Sequence, residues 1–140
     1  MSVREIYFYD DYAHHPEEIK ATLEAAKSKY PKRRIISVFQ PHTYSRTKTL
    51  LKEFSTAFGG SDSVILLDIY ASAREKLVSG VTGKSLADEV SKHFSQVKYC
   101  PNTGQLKSYL EKILKSGDIV IFMGAGDIYT TGRDIALSFK

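Results

Sequence analysis

A single cysteine, Cys100, stands in the whole 140-residue chain, so an internal disulfide is impossible and a cysteine-rich metal site cannot form. A reducing compartment is the simplest reading, and the cytoplasm is the expected location. No apolar run approaches the roughly 20 residues that a membrane helix needs, and no signal sequence is visible, so no membrane partner is expected. Internal repeats, low-complexity tracts and linker-like stretches are missing too. The chain therefore reads as one domain, residues 1–140, large enough to bury roughly 70% of the surface its unfolded form exposes.

Charge of one sign is not concentrated either. The net charge is +4, but Lys48, Lys52, Lys107, Lys112 and Lys115 spread over predicted helix faces. The aromatic-plus-basic pattern of single-strand binders is missing, so no nucleic-acid partner is expected and small anionic ligands fit better. Two phosphate-binding signatures are incomplete. In Gly80-Val81-Thr82-Gly83-Lys84-Ser85 the first glycine of a P-loop is required at residue 78, which is Val78, and the stretch lies ten residues beyond its strand. A helix start capped by Thr82 or Ser85 is the better reading. Gly124-Ala125-Gly126-Asp127 lacks the third glycine of a dinucleotide fingerprint and comes too late for another βαβ unit, which excludes a small dehydrogenase.

What is present is an alternation of apolar strands and amphipathic helices, within 42% hydrophobic and 26% charged residues. Strands are predicted over Glu5 to Asp10, Arg34 to Phe39, Ser63 to Asp68, Gln96 to Cys100 and Asp118 to Met123. Helices are predicted over Pro16 to Tyr30, Ser45 to Phe58, a stretch carrying Leu86, Val90 and Phe94, Thr103 to Lys115, and a last segment reaching Phe139. This order predicts an α/β, Rossmann-like fold with a mostly parallel sheet and helices on both faces. Right-handed crossovers then bring residues 10–16, 40–46, 68–81 and 124–128 to one edge of the sheet.

Those loops hold the chemistry. In Asp10-Asp11-Tyr12-Ala13-His14-His15-Pro16 the carboxylates accept from ribose hydroxyls or cap the following turn. Adjacent histidines commonly place one ring outward and one packed. They cannot easily ligate one ion together, so no metal site is expected within this chain. Gln40-Pro41-His42-Thr43-Tyr44-Ser45-Arg46-Thr47 puts a guanidinium near a helix start, where the dipole gives it no reason to be. Clamping a carboxylate or phosphate supplies one, and pairing with a surface acid is the alternative. Two glycines after the last strand allow close backbone approach to a ligand or a neighbouring loop. His93 and Cys100 read as a helix-surface imidazole and a strand-end thiol.

Taken in order, these two motifs, Asp68-Ile69-Tyr70 with Ala73-Arg74-Glu75, and Gly124-Ala125-Gly126-Asp127-Ile128 resemble the C-terminal domain of the Mur ligase family. The likeness covers nearly the whole chain and is to the branch that joins L-alanine to UDP-N-acetylmuramate. It implies a three-domain enzyme of peptidoglycan synthesis, with a UDP-sugar domain and a central P-loop domain outside this chain. It also implies ATP-driven amide formation, in which the muramyl carboxylate is phosphorylated to an acyl phosphate and attacked by the amine of L-alanine. Mg2+, held mostly by the central domain, neutralises the phosphates, and this chain alone is expected to be inactive. Carried over by position, the resemblance implies that Asp11 contacts the ATP ribose while Tyr12, His14, His42 and Arg46 line the alanine site, Arg46 taking the carboxylate. His14 or His42 helps keep the attacking amine deprotonated. Where some relatives carry a second arginine this chain has Thr43, which leaves a single clamp or a water-mediated contact. A muropeptide-recycling ligase looks similar at the first motif. A self-standing nucleotide or amino-acid binding module, without catalysis, is the alternative from another class.

Overall fold

Two five-residue runs, apolar except for Ser37, form the centre of the molecule. Ile35–Phe39 and Ile119–Met123 are strands in which every residue is buried, as expected of strands covered on both faces. The computed structural model describes residues 1–70 and 81–140. Most of the predicted 68–81 loop, including Ala73-Arg74-Glu75, lies outside the described residues, as does Gly80.

In chain order the elements are β1 (Ser2–Val3), β2 (Ile6–Asp11), α1 (Pro16–Lys29), β3 (Ile35–Phe39), α2 (Tyr44–Thr49), α3 (Leu51–Ser55) and β4 (Ser63–Leu66). They continue with α4 (Gly83–Ser91), β5 (Val97–Tyr99), α5 (Thr103–Ile113), β6 (Ile119–Met123) and α6 (Ile128–Ser138). The sheet order is β1-β2-β6-β3-β4-β5, parallel throughout except for β1. β6 is last in sequence yet lies between β2 and β3, in register with both: Ile121 faces Tyr9 on one side and Ser37 on the other. Alternate strand residues feed two cores. Ile35, Phe39, Ile119, Ile121 and Met123 meet Ile19 and Leu23 of α1, Phe54 and Leu86. Ile36, Val38, Val120 and Phe122 meet Leu106 and Leu110 of α5 and Ile135 of α6. The predicted doubly covered α/β sheet is thus observed.

The sequence reading departs from the structure in three places. β1 was not anticipated: it forms a hairpin with β2 through Arg4 and Glu5, both at positive φ of 53° and 62°. Such two-residue turns normally announce themselves by Asn-Gly or Asp-Gly, and here two long charged residues adopt the conformation instead. The predicted single helix Ser45 to Phe58 is two short ones, α2 and α3, parted at Leu50, and α3 ends at Ser55. Phe54 and Phe58 still reach the core beside Phe39, with ring centroids 5.4 and 5.6 Å from it. Predicted strand Ser63 to Asp68 stops at Leu66 in the sheet, because Asp68 turns toward Tyr99, whose hydroxyl donates to its carboxylate.

Capping follows the sequence closely. Pro16 opens α1, and Glu18 Oε1 accepts from the His15 and His14 amides at 3.0 and 3.2 Å. Those bonds, His15 first, hold the Glu18 carboxyl below its usual range. Thr82 caps α4, accepting from the Ser85 amide at 3.1 Å while Ser85 Oγ accepts from the Thr82 amide. Gly83 of the P-loop look-alike is explained by packing, since a Cβ there would fall 2.5 Å from the Leu67 carbonyl oxygen.

At the opposite edge of the sheet from these loops, Asp118 and Arg34 lock the amino ends of β6 and β3. Arg34 Nε donates to Asp118 Oδ1 at 3.1 Å, its Nη2 donates to the Ile113 carbonyl at 2.7 Å, and the Lys115 amide donates to Asp118 Oδ2 at 2.8 Å. The Asp118 side chain is 6% exposed and that of Arg34 36%. Replacing Asp118 by Ala leaves a guanidinium and an amide without their acceptor. It is expected to cost about 3 kcal/mol, the low end for a broken buried pair because Arg34 still reaches solvent, read as a lower urea midpoint at unchanged m-value.

Thr43, the cap of α2, holds φ 64° and ψ 141°, a backbone that a β-branched residue adopts only under strain. Its surroundings over-determine it. Its Oγ1 accepts from the Arg46 amide at 3.3 Å, its carbonyl from Thr47 Oγ1 at 2.7 Å, and its amide donates to the Tyr70 carbonyl at 2.9 Å. Thr43→Val keeps the strain and loses the cap, so a loss of about 1–2 kcal/mol is expected. Thr43→Gly exchanges cap for strain relief and is expected to stay within about 1 kcal/mol of the parent. The reverse order in denaturation experiments would show that the residue is not strained.

Candidate functional site at the carboxyl edge of the sheet

The carboxyl ends of β2, β6 and β3 are tied to one another by backbone alone. The Gly124 amide donates to the Asp11 carbonyl at 3.2 Å and the Gln40 amide to the Met123 carbonyl at 3.0 Å. Gly124 adopts φ 155°, and a side chain there would also press within 3.0 Å of the Gln40 carbonyl oxygen. The predicted convergence of loops is therefore present for residues 10–16, 40–46 and 124–128, and for Asp68 to Tyr70 of the third loop.

Asp11 takes the capping reading that the sequence left open: its Oδ1 accepts from the Ala13 amide at 2.8 Å, turning the chain toward α1. Together with Tyr12, Gly124, Gly126 and Tyr129 it lines a pocket of about 320 Å3. Tyr12 and Tyr129 are 70% and 61% exposed, so two aromatic faces stand beside a carboxylate and a glycine backbone. Asp10, next in the pocket wall, has its carboxyl pushed up by partial desolvation although the residue still reaches water.

Of the two adjacent histidines, His14 is the packed one, its side chain 16% exposed, and His15 is exposed. His14 Nδ1 lies 2.9 Å from the Tyr12 carbonyl and 3.4 Å from Glu18 Oε1. Both partners only accept, so Nδ1 is the donating nitrogen and Nε2 is the one turned to other partners. The Tyr12 ring packs edge-on against it, centroids 5.2 Å apart.

His42 and Arg46 project from the second loop and the first turn of α2. The His42 ring stacks on Tyr70, with centroids 5.7 Å apart and planes 17° from parallel. Arg46 is partly buried and lines an open cleft of about 480 Å3 with His15, Thr43, Ser45 and Thr49. Among the described residues no carboxylate pairs with its guanidinium. The reading of Arg46 as one half of a surface ion pair thus finds no partner there.

The structure accordingly groups the five candidates in three. Asp11, Tyr12 and His14 lie together at the turn after β2, beside the glycines after β6; His42 stacks on Tyr70; and Arg46 shares its cleft with His15 and with none of the other four. His15 enters the sequence reading only as one of two adjacent histidines and receives no role from the resemblance. Its outward ring is fixed by which neighbour is packed. Tyr129 was missed for want of any motif signal beyond an aromatic in a helix first turn. No three His, Cys, Asp or Glu side chains gather as a metal-binding group among the described residues. No helix among them is long and apolar enough to cross a membrane.

Comparison with known proteins gives this arrangement a family. The Mur ligase, glutamate ligase domain family matches residues 1–126. The chain is 47% identical over 126 residues to the UDP-N-acetylmuramate--L-alanine ligase of Desulfitobacterium hafniense (strain Y51), covering 90% of this chain and 28% of that protein. Against the protein of the same name from Acetivibrio thermocellus it is 52% identical over 125 residues, covering 89% and 26%. It is also similar to the crystal structure of UDP-N-acetylmuramate-alanine ligase from Thermotoga maritima, with a TM-score of 0.74 and 26% identity over 96% of this chain and 26% of that one. The chain spans about a quarter of the length of these relatives. With the match running from the hairpin through Gly126 at the carboxyl edge, the chain belongs to the Mur ligase family, as its C-terminal, glutamate ligase domain.

Proposed function

We propose that this chain is the C-terminal domain of an ATP-dependent ligase that joins L-alanine to UDP-N-acetylmuramate, and that it supplies the amino-acid and nucleotide contacts of the carboxyl edge. The observation that carries the reading is Arg46, a partly buried guanidinium at the mouth of a cleft with no carboxylate partner among the described residues. A planar fork in that state favours a ligand carboxylate, which it holds by two parallel hydrogen bonds. Relatives at 47–52% identity that carry the alanine ligase name support this choice of amino acid.

In this reading Arg46 binds the alanine carboxylate and His15 lies across the same cleft. Two candidates could accept a proton from the alanine ammonium, so that the neutral amine attacks the activated muramyl carboxyl. One is His14 through its free Nε2; the other is His42. ATP supplies the phosphoryl group for that activation and is held mainly by domains outside this chain. The pocket beside Asp11 fits a ribose, because the second Asp11 oxygen accepts from a hydroxyl and the backbone of Gly124 and Gly126 forms part of the pocket wall. Tyr12 and Tyr129 flank that space with flat apolar surface. Magnesium belongs to the other domains, and the chain alone turns over no substrate.

Steady-state kinetics of a full-length ligase carrying this domain separate the two subsites. Arg46→Ala is expected to raise the KM for L-alanine about a hundredfold, the cost of roughly 3 kcal/mol for a lost charge-assisted pair, and to leave the KM for ATP within about threefold. Comparable effects on both substrates would remove Arg46 from the alanine site. Asp11→Ala is expected to show the opposite pattern, with ATP use weakened and alanine use retained; unchanged ATP kinetics would remove the ribose contact.

A further inference from the structure

Gly126 is a glycine that its own backbone does not require. Gly124 and Gly117 are the described glycines at positive φ; Gly126 lies outside that region, so any residue could adopt its conformation. What excludes a side chain is a neighbour. A Cβ on Gly126 would fall 2.8 Å from Tyr70 Cγ and 2.9 Å from Cδ1, and 3.0 Å from Gln40 Oε1. A ring atom bonded to its own Cβ cannot swing away as the tip of a flexible chain can, so the whole ring must shift.

The same ring of Tyr70 meets His42. The rings stack at 5.7 Å, and the backbones are bridged twice: the Tyr70 amide donates to the Pro41 carbonyl at 2.8 Å and the Thr43 amide to the Tyr70 carbonyl at 2.9 Å. With the Tyr70 backbone fixed to both neighbours of His42, a shift of its ring forced from Gly126 changes its stacking on the imidazole. It is 38% exposed, so burial is not its main use.

We propose that Tyr70 is a positioning residue that sets the distance between the nucleotide-side loop at Gly124–Gly126 and the amino-acid side at His42, so that a change at Gly126 is felt in the use of alanine. The inference rests on the assignment of these two sides in the proposed function. Its mechanical half stands on geometry alone. The ring, and not the hydroxyl, does the spacing.

The test has two readouts. On this 140-residue chain, the His42 ring-proton resonances report the stacked tyrosine through its ring current. Gly126→Ala is expected to shift them, Tyr70→Ala to shift them further, and Tyr70→Phe to leave them near the parent position, with circular dichroism confirming that each variant is folded. In the full-length ligase, Gly126→Ala is expected to raise the KM for L-alanine roughly tenfold, an order below the hundredfold loss that a misplacement of about 1 Å can bring. In a Tyr70→Ala background the same substitution should add little, a non-additivity diagnostic of contact between the two residues. Unmoved His42 resonances in folded Gly126→Ala overturn the proposal, as do additive effects in the cycle or a Tyr70→Phe variant that behaves like Tyr70→Ala. If His42 moves but the KM for alanine does not, the coupling holds and the placement of His42 at the amino-acid site falls.

Discussion

The insertion of β6 between β2 and β3 is the constraint on which the carboxyl edge depends. A strand from the end of the chain must enter the middle of the sheet, in register with two strands laid down more than eighty residues earlier. The Arg34–Asp118 pair holds its amino end, and backbone bonds from Gly124 to Asp11 and from Gln40 to Met123 hold its carboxyl end. A one-residue slip of β6 would exchange the Ile119-Ile121-Met123 face with the Val120-Phe122 face and break both cores at once. The loop after β6 is therefore delivered to one place, between the aspartates of β2 and the Gln40-Pro41-His42 turn of β3.

That delivery also explains why the glycines gather there. The strand ends lie one sheet spacing apart, roughly 5 Å, so loops leaving β2, β6 and β3 have room for backbone and for few side chains. Gly124 and Gly126 resolve the crowding between them, one through its conformation and the other through the space it concedes to Tyr70. On the far face Gly132 makes a similar concession: a Cβ there would lie 2.7 Å from the Phe122 ring, so α6 packs directly on β6. Rigid strands thus present chemical groups on short, mutually braced connections, which suits residues that must meet a ligand in a fixed geometry.

The α/β class, the doubly covered sheet and the loop edge were legible because short apolar runs bounded by glycines, such as Ile119–Met123, alternate with longer segments opened by Pro and carrying a helical apolar stripe, such as Pro16–Lys29. The N-terminal hairpin was not, since Arg4 and Glu5 carry none of the turn chemistry that usually marks positive φ. Nor was the break at Leu50, where the apolar spacing of one long helix persists through a backbone interruption. Within the candidate site, residue type singled out the Asp10 and Asp11 carboxylates, the adjacent histidines and Arg46, and the resemblance to the Mur ligases supplied the alanine-site placement of Tyr12, His14 and His42. What sequence could not supply was the partition among them: that Arg46 shares its cleft with His15, or that Tyr70 stands between His42 and Gly126. Those facts depend on χ angles and loop contacts, which no local pattern encodes.

The brevity of the two outermost strands carries a consequence of its own. β1 pairs with Ile6 and Tyr7 and is extended by Met1 as far as Phe8, and at the other rim β5 is three residues long with Lys98 exposed at its centre. Past the reach of β1, the free rim of β2 ends in two consecutive carboxylates, Asp10 and Asp11. Short rims bearing charge are poor templates for a foreign strand. A domain with such rims can present its binding edge openly without offering its sheet to another copy of itself, and so resists the edge-to-edge aggregation that threatens any open sheet.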